Sequence, residues 1–142
     1  MNDHASNELN IQVFVDAKII QGHDPSSKKR TLVGYVVKDS DDLRRACEVD
    51  GVGETDDAEM QAVAFAIREL KNRFGKFTIL CDHESVVSEI LRGIMRPRSR
   101  PVLAEIHKER IAHPLIEVKL LAKNPAHKLL NQYEAELDKS SV

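Results

Sequence analysis

A chain of 142 residues is the length of one ordinary domain, long enough to bury a single sizeable core. With 42% apolar and 31% charged residues it is too hydrophobic for bulk disorder, and apolar runs as short as Val13-Phe14-Val15 exclude a bilayer span, which needs roughly 20 residues. Lys and Arg number 21 against 23 Asp and Glu, a net charge of −2, so any nucleic-acid contact is local and not a uniform basic coat.

Residues 1–9 are polar, lack the basic start and apolar stretch of a secretory signal, and read as a tail on a cytoplasmic protein. Ile11 to Val15 is β-branched and aromatic and predicts a strand ending at Asp16. After the turn chemistry of Gly22 to Ser27, Thr31 to Val37 predicts a second strand and Leu43 to Val49 a third, forming an antiparallel meander. Met60, Val63, Ala64, Ile67 and Leu70 then recur at helical spacing, which predicts a helix from Ala58 to about Phe74 with Gly75 as its stop.

Phe77 to Cys81 reads as a buried strand ending at Asp82, and a short helix carries Val86, Val87, Ile90 and Leu91. Arg92 to Pro101 reads as an extended basic segment, and a helix follows from about Val102 to Ala112. Ile116, Val118 and Leu120 alternate with Glu117 and Lys119 in a last strand before a terminal helix carrying Leu130, Tyr133 and Leu137. The order β-β-β-α-β-α-α-β-α predicts an α/β fold, a mixed five-stranded sheet with helices on its faces, over a single domain of residues 10–138 with a tail at 139–142. Cys47 and Cys81 fall inside strands, without metal-knuckle spacing, and read as small buried hydrophobes. The lack of Trp and the 4% of aromatic residues argue against an aromatic base-stacking platform.

Asp16 and Asp82 each follow the last apolar residue of a strand, and Glu59 sits in the first turn of the main helix. Carboxylates brought to adjacent strand ends repel one another, an arrangement that makes physical sense when a hard divalent cation lies between them. Each acid also has a plainer reading. Asp56 and Glu59 fit a capping box, and aspartates commonly end buried strands.

The three segments Val13-Phe14-Val15-Asp16-Ala17, Thr55-Asp56-Asp57-Ala58-Glu59-Met60-Gln61-Ala62 and Thr78-Ile79-Leu80-Cys81-Asp82 together resemble the acidic motifs of ribonuclease H of type 1, over residues 10 to 138. The resemblance implies a ribonuclease-H-like fold and an endonuclease that hydrolyses the RNA strand of an RNA/DNA hybrid. It implies that Asp16, Glu59 and Asp82 hold two Mg²⁺ or Mn²⁺ ions, one generating the attacking hydroxide and the other stabilising the leaving oxygen. No small-molecule cofactor and no membrane enter this reading, which is of a monomer.

Ala17 stands where the family commonly has Gly, and Thr55 and Asp56 occupy the places of two asparagines that touch the nucleic acid. His83 replaces a small residue after the third acid. In the terminal helix Asn131 aligns with a substrate-contacting asparagine, but Ala135 stands where a fourth aspartate is expected. Glu136 is its nearest substitute and Glu134 the other candidate. His127, expected in the loop before this helix, aligns with a histidine that serves proton traffic or product release. Arg96, Arg98 and Arg100 offer forked donors for phosphates, or form a solvated loop. Two other readings stand beside the enzyme: a catalytically silent module of the same fold that binds nucleic acid or a protein partner, and an unrelated α/β domain whose acids are caps.

Overall fold

A computed structural model describes residues 11–20, 30–40, 42–49, 55–93, 100–121 and 125–140, excepting the side chains of 100 and 138–140. The elements follow the predicted order: β1 (Gln12–Ile20), β2 (Arg30–Val37), β3 (Arg44–Val49), α1 (Thr55–Leu70), β4 (Phe77–Cys81), α2 (Glu84–Arg92), α3 (Arg100–Ala112), β5 (Ile116–Leu120) and α4 (Ala126–Ser140). The strands form one sheet in the order β3-β2-β1-β4-β5. Hairpin neighbours pair antiparallel, whereas β4 and β5 are reached by helical crossovers, β4 pairing parallel with β1 and β5 parallel with β4.

Several boundaries differ from expectation. β1 does not end at Asp16, because Ala17 to Ile20 go on pairing with Val33 to Arg30 of β2. Its parallel pairing with β4 stops at Phe14 opposite Leu80, and that register continued by two residues sets Asp16 beside Asp82. So Asp16 lies mid-strand, yet at the carboxyl end of the parallel half of the sheet, where α/β folds build their sites.

The main helix begins earlier than predicted, at Thr55, and stops at Leu70. Gly93, and not Gly75, is the left-handed helix stop, with φ 72° and its N–H donating to Glu89 O at 2.8 Å. Of the segment expected to be extended, Arg92 closes α2 and Arg100 and Pro101 open α3, since proline's fixed φ suits a first helical turn. The rest of that segment, with Arg96 and Arg98, lies outside the described residues, as do the tail 1–9 and residues 141–142. The terminal helix runs past residue 138 to Ser140. Among the described residues no helix is long and apolar enough to cross a membrane.

Period-two alternation divides the sheet between two layers. Val13, Val15, Val33, Tyr35 and Val37 pack with Met60, Val63 and Ile67 of α1, whose small Ala62, Ala64 and Ala66 are also buried because α3 covers it through Leu103 and Ile106. On the other face Leu32 and Gly34 meet α4. A Cβ on Gly34 would stand 2.9 Å from Leu130 Cδ2 and 3.1 Å from the Arg45 carbonyl, so the missing side chain is what lets α4 descend onto β2. Leu130, fully buried there, contributes about 1.5–3 kcal/mol of burial.

Candidate metal centre

Asp16 projects toward the α4 face, one step from core residue Val15, and is 1% exposed. Glu59, the fifth residue of α1, is 4% exposed, so two carboxyls enter the interior where the parallel strands end. Glu59 does not cap its own helix. Its Oε1 accepts the Ala17 backbone N–H at 3.3 Å and its Oε2 lies 3.9 Å from the Cys81 thiol, which answers the capping-box reading. Asp82, just past β4, completes the set at the surface.

Burial dominates the electrostatics. It pushes Glu59 up to about 9, with the charges and hydrogen bond of Asp16 and the charge of Asp82 adding to the rise. Burial also raises Asp16, opposed by the hydrogen bond from Glu59 and the nearby His127 ring. Both carboxyls are thus pushed toward the protonated form, burial being the main cause for each. The Cys81 thiol, enclosed behind them, is pushed up to about 12, chiefly by burial, and stays protonated.

His127 is the second residue of α4, not part of the preceding loop. Its Nδ1 contacts Asp16 Oδ2 and its Nε2 stands 3.2 Å from Asp82 Oδ2, while the ring is 61% exposed. Ligand-type atoms of Asp16, Asp82 and His127 all lie within 4.8 Å of one another, as do those of Glu59, Cys81 and Asp82. Apart from the Glu59 carboxyl and the His127 ring, the described residues give the buried Asp16 oxygens no side-chain hydrogen-bond partner. Clustered oxygen donors, one of them buried and short of donors, fit a divalent cation.

Glu136 does not join this cluster. Glu134, two residues before it, is drawn to Lys18 of β1 and pairs with its Nζ, and Asn131 Oδ1 accepts from the same ammonium at 3.0 Å. Two residues along a helix is a turn of about 200°, so Glu136 is carried out to an exposed position. Lys18 escaped the sequence reading, although its spacing of two from Asp16 already put both on one face of β1.

Asp56 is occupied within the protein, its Oδ1 facing His83 Nε2 at 2.9 Å and its Oδ2 facing Ser85 Oγ at 3.4 Å, while Thr55 is exposed at the helix start. His83 stands outside the acidic cluster, and its Nδ1 lies 3.2 Å from Ser85 Oγ. Next to the cluster opens a cleft of about 620 Å³ lined by Asp82, His83, Glu84, Ser85, Ser88 and Arg92.

No family model matches the chain, and no curated protein does. Solved structures do. The N-terminal RNase H domain of a Mycobacterium tuberculosis protein is 15% identical with a TM-score of 0.67, over 93% of this chain and 99% of that one. LC11-RNase H1 in complex with RNA/DNA hybrid is 15% identical with a TM-score of 0.62, over 80% of this chain and 86% of that one. Prototype foamy virus protease-reverse transcriptase is 16% identical with a TM-score of 0.64 over 79% of this chain, which spans only 17% of the viral polypeptide. The strand order β3-β2-β1-β4-β5, the helices that cover it and these likenesses establish that the chain has the ribonuclease-H-like fold.

Proposed function

We propose that this protein is a metal-dependent endonuclease that hydrolyses the RNA strand of RNA/DNA hybrids. The observation that carries the reading is the convergence of Asp16 and Asp82 with buried Glu59 at the carboxyl end of the parallel strands. Asp16, Glu59 and Asp82 would hold the Mg²⁺ or Mn²⁺ ions. Such ions, when bound, supply Lewis-acid polarisation of a phosphoryl oxygen and a hydroxide nucleophile at neutral pH.

The chain's own residues do the rest. Asp16, held by the β1 ladder, and Asp82, held at the end of β4, keep two carboxylates at fixed separation. Glu59 accepts the Ala17 N–H and so ties α1 to the strand that carries Asp16. The cleft lined by His83, Ser85, Ser88 and Arg92 offers hydroxyls and one guanidinium to a sugar-phosphate backbone entering beside Asp82. Arg96, Arg98 and Arg100 follow in sequence and would extend that basic contact. A hybrid would be recognised by groove shape and 2′-hydroxyls, in keeping with the RNA/DNA hybrid bound by LC11-RNase H1.

A labelled hybrid incubated with Mg²⁺ or Mn²⁺, beside single-stranded and duplex controls, tests the reading. Cleavage of the RNA strand alone, abolished in folded Asp16→Asn and Asp82→Asn, supports it. Ala135, at the position expected to carry a fourth carboxylate, favours a second reading, the silent binding module. Retention of hybrid without cleavage in either ion would select that one.

A further inference from the structure

Resting on the metal-site reading above, we infer that His127 is a metal ligand, which makes this an oxygen-and-nitrogen site selective for a d-block divalent cation over Mg²⁺. The geometry begins with α4. Ala126 and Leu130 are buried against the sheet, Leu130 over Gly34, and this seating fixes the first turn of the helix at the carboxyl edge of β1 and β4. His127, between them in sequence, has one ring nitrogen against Asp16 and the other 3.2 Å from Asp82 Oδ2.

The ring is 61% exposed, so the two carboxylates, and not packing, account for where it stands. Donors about 2.1 Å from one ion lie at most about 4.2 Å apart. The chosen atoms of Asp16, Asp82 and His127 fall within 4.8 Å of one another, so small side-chain adjustments set them around one ion. Among its described residues the helix brings no carboxylate into the cluster: Ala135 has none, Glu134 is held by Lys18 and Glu136 is exposed. An imidazole in place of a carboxylate changes which ion is preferred. Neutral nitrogen is a good ligand for Mn²⁺, Fe²⁺, Co²⁺ and Zn²⁺, whereas Mg²⁺ is held by oxygen and water.

Mn²⁺ titrated into the full chain, with electron spin-echo envelope modulation of the bound ion, reads the ligand directly. Modulation from a coordinated ¹⁴N is expected, abolished in His127→Ala and kept in His107→Ala. Calorimetric Mn²⁺ affinity should fall on the order of 10–100-fold or more in His127→Ala, with Mg²⁺ affinity unchanged, and His127→Asp should restore the ligand count and shift preference toward Mg²⁺. Mn²⁺ bound through Asp16, by the Asp16→Asn control, but without ¹⁴N coupling overturns the inference and leaves the metal site standing. No Mn²⁺ binding at all overturns both.

Discussion

Glu59→Gln separates a carboxyl held for a cation from one held for packing, and it does so in the metal-free protein. The carboxyl ordinarily ionises near 4.5, whereas burial beside Asp16 holds it protonated up to about 9. Across that window the folded chain binds a proton that the unfolded chain has released, so stability is full below 4.5 and declines as the pH rises toward 9. Each pH step in the window is worth about 1.4 kcal/mol. By pH 7 the wild type is therefore less stable by up to about 3 kcal/mol, which for a chain of this size is about 10 °C in Tm. Asp16, also raised by burial, acts in the same direction. Gln has no proton to lose and can still accept the Ala17 N–H. Thermal melts in EDTA from pH 4.5 to 9 should show a falling Tm for the wild type and a much flatter profile for Glu59→Gln, which melts higher at pH 7. Mn²⁺ should stabilise the wild type more than the variant. Parallel profiles for the two proteins would refute the reasoning, because the proton would then not reside on Glu59.

Gly34→Ala forces a Cβ against Leu130 and the Arg45 carbonyl, and should destabilise by about 1–3 kcal/mol in urea melts while lifting His127 from Asp16 and weakening Mn²⁺ binding. Lys18→Ala removes a half-exposed ion pair and should change stability by less than about 1 kcal/mol; Glu136→Ala should leave Mn²⁺ affinity unaltered by calorimetry. Changing Arg96, Arg98 and Arg100 together to alanine should weaken hybrid binding and flatten the slope of log K against log salt by about 1 for each phosphate that an arginine no longer neutralises, while the saturated cleavage rate stays the same.

Element type and order were legible in the chain because local patterns declare them: period two at Ile116 to Leu120, period 3.6 at Met60 to Leu70, and turn chemistry between. The convergence of the three acids was legible for a related reason. A polar residue at the end of an apolar run, or turned inward on a buried helix, conflicts with burial, and that conflict is visible in one dimension. Arrangements that depend on which elements touch were not legible. That β1 continues past Asp16 follows from its pairing with β2, and that Glu59 accepts from Ala17 and not from its own helix follows from where α1 docks. On α4 the sequence left Glu134, Ala135 and Glu136 open, since the rotation of a helix about its axis is set by what it packs against. Leu130 over Gly34 and Lys18 holding Glu134 decided that rotation, turned Glu136 outward, and brought His127, 111 positions from Asp16 along the chain, to its carboxylate.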